Sequence, residues 1–134
     1  MRVDGEAVGR IGQGLLVFVC AERGDTDDDA ARLLQRVLRL RCFGDEAGRM
    51  NRSLADAGGG LLLVSQFTLA ADTRSGLRPG FSTAAAPAEA EQTFSALVAE
   101  CRRLHHGGVE TGRFGAHMTV SLVNDGPVTF LLRS

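Results

Sequence analysis

Gly60-Leu-Leu-Leu-Val-Ser-Gln-Phe-Thr-Leu69 is the stretch on which the fold turns. Four consecutive apolar residues, Leu61 to Val64, behind a glycine run read as a buried strand, predicted from Leu61 to Phe67. Ser65, Gln66 and Thr68 follow without a break, and polar side chains at the end of a buried strand are where sites tend to form. Their plain alternative is a strand end whose hydroxyls cap a turn.

Outward from this strand, the chain alternates between strand and helix patterns. Val3 to Ile11 reads as a strand pair turning at Asp4-Gly5, and Leu15 to Cys20 as a second buried strand. Asp25 or Thr26 is placed to cap a helix whose first turn carries Asp27, Asp28 and Asp29. Ala30, Leu33, Leu34, Val37 and Leu38 form its apolar stripe, and Arg36, Arg39 and Arg41 load its far end. Ser53 to Ala57 fits one short helical turn before Gly58-Gly59-Gly60. Thr73 to Ala86 is loop-like. Pro87 suits a helix start, and Phe94, Leu97, Val98, Cys101 and Leu104 make a second stripe that stops at His105-His-Gly-Gly108. Met118 to Val123 alternates, as does Val128 to Leu132 across Asn124-Asp-Gly-Pro127, which predicts a closing hairpin. A Gly-Pro junction is also a place where the cis peptide costs only about 0.5–1 kcal/mol over trans.

Composition limits the function. The 134 residues fit one domain, 1–134, of α/β (or α+β) class, and 44% hydrophobic with 23% charged residues is ordinary for a globular chain. No apolar run approaches the ~20 residues of a membrane span, and Met1-Arg-Val-Asp-Gly5 is unlike a signal peptide, so a cytoplasmic, membrane-free protein is expected. Cys20, Cys42 and Cys101 are odd in number and far apart, which speaks against a disulfide framework or a zinc site and for buried, inert thiols. No metal or cofactor is expected; His105, His106 and His117 lack further ligands at metal spacing. The formal net charge is −1 and every basic residue is arginine. A global basic field for nucleic acid is therefore absent, and an RNA partner would have to be held locally, at its end. Without tryptophan or tyrosine there is no aromatic platform for stacking bases. No G-x-S-x-G elbow surrounds Ser65, so a serine-hydrolase triad is disfavoured.

Ser65-Gln-Phe-Thr-Leu69 and Asn124-Asp-Gly-Pro-Val-Thr129 together closely resemble the two signature motifs of the D-aminoacyl-tRNA deacylase family, with Ala70-Ala-Asp-Thr73, Arg78-Pro79, Phe81-Ser82 and Thr111-Gly-Arg-Phe114 matching beside them. The resemblance implies a barrel-like β-sheet core with two amphipathic packing helices and a two-fold homodimer. It implies a hydrolase that cleaves the ester of D-aminoacyl-tRNA, and of glycyl-tRNA mischarged on alanine tRNA, as translation proofreading. Ser65, Gln66, Phe67 and Thr68 would be its catalytic residues, with the Phe67 and Thr68 amides as oxyanion donors. Met118, Asn124, Gly126 and Pro127 would bind substrate. A cis Gly126-Pro127 loop, inserted across the dimer, would grip the α-amino group and exclude L side chains by clash. Arg74, Arg78 and Arg113 are candidates for contacts to phosphate at the aminoacylated 3′ end.

Two alternatives stay open on the sequence. Thr68 either attacks covalently or only orients substrate. The chain also starts after the position of a family strand carrying a Gln-Arg-Val element, whose arginine supports the Gly-Pro loop. A start codon placed too late is the favoured explanation. The competing one is a truncated, non-catalytic dimeric module of the same fold that binds RNA ends or a protein. The preferred D-amino acids and tRNAs are not encoded in any motif.

Overall fold

The computed structural model describes all 134 residues. In chain order the elements are β1 (Arg2–Val3), β2 (Glu6–Ala7), β3 (Gly14–Val19), α1 (Asp27–Arg39), β4 (Phe43–Gly44), β5 (Met50–Arg52), α2 (Leu54–Ala57), β6 (Gly60–Ser65), a 3-10 turn (Phe67–Ala70), α3 (Pro87–Leu104) and β7 (Val109–Thr111). The central sheet has the order β3-β6-β7 with both pairings parallel. Two antiparallel ribbons, β1-β2 and β4-β5, flank it.

A parallel strand in mid-sheet is covered on both faces, which is why Leu61 to Val64 is an unbroken apolar run. Alternate side chains leave on opposite sides. Leu61 and Leu63, at most 1% exposed, join Leu34 of α1, Leu54 of α2 and Phe94, Leu97, Val98 and Cys101 of α3 in one core. Leu62 and Val64 point the other way, toward the backbone at Gly9 and Gly112. Both predicted stripes are therefore the buried faces of their helices.

Local chemistry fixes the ends. Thr26 accepts from the Asp29 amide while Asp29 accepts from the Thr26 amide, a reciprocal capping box, and Ser53 with Asp56 repeats it on α2. Pro87 opens α3. Asp4 and Gly5 both take positive φ, the turn geometry that a two-residue hairpin requires. β3 and β6 meet so closely at their starts that a Cβ on Gly14 would lie 1.9 Å from the Gly60 carbonyl oxygen. His105, at the end of α3, is buried, with its Nε2 2.8 Å from the Gly59 carbonyl oxygen.

Two expectations are corrected, and a third is met only in part. The strand predicted to reach Phe67 ends at Ser65, because Gln66 (φ −141°, ψ 86°) turns the chain into the 3-10 element. The closing hairpin is not formed. Thr119 pairs with Arg2 through two backbone hydrogen bonds of 2.8 and 2.9 Å, and no strand follows. Alternation alone does not make a strand; it needs a ladder partner, and a lone two-stranded ribbon is marginal in water. Val123 remains 92% exposed, with Leu122, Phe130 and Leu131 also in the open. The α/β class with packing helices is met, but no closed barrel is found within one chain, where the central sheet has three strands.

Candidate active site

The site is built where β6 leaves the sheet. The Gln66 amide donates to the Val19 carbonyl at 2.8 Å, extending the β3-β6 pairing by one bond beyond the strand. The chain then turns away from the carboxyl ends of the parallel strands, the edge at which α/β sheets bind ligands. Phe67 and Thr68 begin the 3-10 turn, so their amides have no acceptor inside it, and no loop carbonyl or side chain takes them. Both residues are exposed. Two unpaired, adjacent N–H groups at a strand end are a ready pair of donors for an anionic oxygen.

The turn is braced on several sides. The Ala71 amide donates to the Thr68 carbonyl at 3.1 Å, and the Thr83 hydroxyl donates to the carbonyl of buried Ala70 at 3.1 Å. The Phe67 ring meets Phe81 edge to face, centroids 4.9 Å apart. The Gln66 side-chain amide donates to Thr68 Oγ1 at 2.6 Å. Cys20, just past β3, places its Sγ 3.6 Å from the Phe67 carbonyl oxygen.

An open cleft of about 2400 Å³ runs beside the turn. Of the sequence-predicted residues, Ser65, Gln66, Phe67, Met118 and Asn124 line it; Thr68, Gly126 and Pro127 do not. Met118 is half-buried and lies against Gly112, so close that a Cβ there would come within 2.7 Å of its Sδ. The Gly126–Pro127 bond is cis and the tip it forms is exposed. Asn124 spans this tip, its Oδ1 accepting the Val128 amide at 3.2 Å and its Nδ2 donating to Thr129 Oγ1 at 3.1 Å. A smaller glycine-lined hollow of about 580 Å³ sits at the opposite, amino-terminal, ends of the strands and shares none of these residues.

Charge near the turn is sparse. Arg74 is committed to Asp72 through two bonds of 3.0 and 2.9 Å, and this pairing lowers the Asp72 pKa. Arg78 and Arg113 make no ion pair. No group of three or more His, Cys, Asp or Glu is suited to hold a metal, and no helix is long and apolar enough to cross a membrane. Cys20, expected only as a buried, inert thiol, is the neighbour that sequence reasoning missed, whereas Phe81 belongs to a segment already matched to the family. The Cys20 contact to the turn joins positions 47 apart in the chain, and no local spacing announces it.

Comparison with known proteins places the chain in a family. The family model described as "D-Tyr-tRNA(Tyr) deacylase" matches residues 1–133. The D-aminoacyl-tRNA deacylase of Xanthomonas axonopodis pv. citri (strain 306) is 70% identical over 131 residues, covering 98% of this chain and 90% of that protein. The D-aminoacyl-tRNA deacylase of Stenotrophomonas maltophilia (strain R551-3) is 68% identical over 133 residues, covering 99% and 91%. Among solved structures, one described as "c-Myc DNA Unwinding Element Binding Protein" superposes with a TM-score of 0.94 at 34% identity over 99% of this chain and 90% of that one. A probable eukaryotic D-amino acid tRNA deacylase shares the fold at a TM-score of 0.66 and 16% identity, over 80% of this chain and 77% of that one. With a family match from end to end and relatives near 70% identity, the chain belongs to the D-Tyr-tRNA(Tyr) deacylase family.

Proposed function

We propose that this protein hydrolyses the ester joining a D-amino acid to the terminal ribose of tRNA, and likewise glycine mischarged on alanine tRNA, in the cytoplasm. The observation that carries this reading is the pair of unpaired amides, Phe67 and Thr68, at the carboxyl end of β6 on the rim of the cleft. Water adds to the ester carbonyl, its oxygen becomes an oxyanion received by these two N–H groups, and the intermediate collapses to free D-amino acid and the ribose hydroxyl of the tRNA. A donor placed for a developing oxyanion is worth about 2.7–4 kcal/mol. An ester is already activated relative to an amide, so positioning and oxyanion stabilisation supply much of the catalysis.

Thr68 acts here as an orienting residue rather than a nucleophile. Its hydroxyl is bonded to the Gln66 amide, and a carboxamide cannot serve as the base that a covalent role requires. The ribose 2′-hydroxyl beside the ester is the group left to orient the water.

Stereoselectivity is assigned to the Gly126-Pro127 loop of a second copy. The tip is exposed and lies outside its own chain's cleft, and the apolar residues on either side of it, Val123 and Phe130, are uncovered. A two-fold dimer would cover them, set the tip against the partner's turn and complete the barrel-like sheet. Carbonyls of the loop would hold the α-amino group, an L side chain would collide with the loop, and a D side chain would point to open space.

The test is to incubate the protein with one tRNA charged with either enantiomer of the same amino acid. Loss of the D ester with the L ester intact is the expected result. A second reading, a non-catalytic module that binds nucleic acid or a protein partner, draws on the likeness to the c-Myc DNA unwinding element binding protein at 34% identity. A net charge of −1 without lysine weighs against broad nucleic-acid binding. Turnover of neither ester would leave this second reading standing.

A further inference from the structure

We infer that Cys20 is a positioning residue, whose thiol holds the Phe67–Thr68 peptide group so that the Thr68 N–H faces the substrate oxyanion. The inference rests on the proposed role of that amide. A peptide unit is planar and its C=O and N–H point in opposite directions. Whatever fixes the Phe67 carbonyl therefore aims the Thr68 N–H. Cys20 Sγ lies 3.6 Å from the Phe67 carbonyl oxygen and 3.5 Å from that of Ala21, so its one hydrogen is shared between two acceptors. On the other side of the same peptide unit, the Thr68 amide has no acceptor in the protein. One face of the group is tied down while the opposite face is left open for a ligand.

The setting suits a thiol that stays protonated. Burial raises the Cys20 pKa, against the pull of the Ala70 amide, so the sulfur keeps the hydrogen that it donates. The sulfur sits against the start of the turn, beside the Phe67 C=O. The backbone bond from Gln66 to Val19 brings the strand end bearing Cys20 alongside the turn. A raised pKa also argues against a redox or nucleophilic role, which needs a thiolate.

The experiment compares Cys20→Ala and Cys20→Ser with the parent protein, by deacylation kinetics on D-aminoacyl-tRNA and by the amide resonance of Thr68. Cys20→Ala is expected to move the Thr68 resonance and lower kcat about three- to tenfold, a fraction of the 10²–10³ lost with a whole oxyanion donor. KM and Tm stay near their parent values, because the interaction matters in the transition state. Cys20→Ser keeps a donor and recovers most of kcat. An unmoved Thr68 resonance overturns the inference and leaves the oxyanion reading intact. A moved resonance with parental kcat overturns the catalytic role of the Thr68 amide, and the inference with it. A serine variant no better than alanine overturns donation by the thiol.

Discussion

Asn124 and Thr129 are joined side chain to side chain, Nδ2 to Oγ1 at 3.1 Å, across the four residues that form the exposed Gly-Pro tip. The same Asn124 accepts the Val128 amide through Oδ1 at 3.2 Å, so one side chain uses both of its polar atoms to close the turn. Two hydrogen bonds of this kind are worth about 1 kcal/mol each. Asn124→Ala is therefore expected to lower kcat/KM for D-aminoacyl-tRNA by about tenfold. The global fold should be little affected, since the tip contributes nothing to the buried core. Steady-state kinetics beside a thermal melt checks this, and parental kinetics would show that the bracket does not serve the reaction. Asn124→Asp keeps the acceptor for Val128 and loses the donor to Thr129, so it should fall between the two.

The Gln66–Thr68 contact gives a second outcome. With its hydroxyl engaged by a carboxamide at 2.6 Å, Thr68 has no base to activate it. Thr68→Ala should retain activity within about fivefold, because it keeps the backbone amide that receives the oxyanion. Loss of a true covalent nucleophile costs on the order of 10⁶ in kcat, so a collapse of that size would reinstate covalent catalysis. Single-turnover rates on the two proteins separate these cases.

Much of this structure is legible in the sequence wherever the signal is local. The stripes Leu34-Val37-Leu38 and Phe94-Leu97-Val98-Cys101 name the buried helix faces, and the Thr26-x-x-Asp29 and Ser53-x-x-Asp56 spacings name two helix starts. The apolar run Leu61 to Val64 names the central strand and hence where Ser65 and Gln66 emerge. What fails is what depends on a distant partner. Val120 to Leu132 alternates like a strand pair but finds no edge within its own chain. The contact of Cys20 with Phe67 spans 47 positions, and nothing in either neighbourhood marks it. The cleft, too, is assembled from segments that meet only through the sheet order.

The close start of β3 and β6 is testable through two glycines two residues apart. A Cβ on Gly14 would stand 1.9 Å from the Gly60 carbonyl oxygen, whereas one on Gly12 would meet nothing within 4 Å. The obstacle at Gly14 is backbone of the central sheet, which cannot rotate aside. Gly14→Ala is expected to cost more than ~3 kcal/mol, beyond the usual range of overpacking, and to leave little folded protein. Gly12→Ala should express and melt like the parent. Soluble yield and denaturant midpoints read the contrast directly.

Cysteine reactivity reports on the core. Cys101 is fully buried in the same core cluster as Leu61 and Leu63, and burial pushes its pKa up to about 11. Near neutral pH it holds almost no thiolate, and the thiolate is the reacting form. A disulfide reagent added to native protein should modify Cys101 only as fast as the core opens, with Cys20 and Cys42, both half-buried, reacting earlier. Denaturant should bring all three into reach at once. Rapid native labelling of Cys101, read by mass spectrometry of peptides, would mean that α3 does not pack as described.

Acid should destabilise the fold through its helix caps. Asp29 and Asp56 have pKa values below the ordinary 3.8, chiefly because each accepts a backbone N–H, from Thr26 and Ser53 respectively. A carboxylate held low in the folded state binds fewer protons there than in the unfolded chain. Its contribution to stability is therefore complete above the unfolded pKa and disappears as pH falls through the lowered folded one. Melting temperature should be flat on the neutral side of about pH 5 and should drop as the solution is taken below about pH 4, where unfolded aspartate begins to take up protons. Asn at position 29 keeps an oxygen that can accept the Thr26 amide but has no proton to gain. Asp29→Asn should start slightly less stable at neutral pH, losing the favourable charge at the helix start, and then decline less steeply in acid. Parallel melts of the two proteins from pH 7 to pH 3 read both features, and identical slopes would remove Asp29 from the acid response.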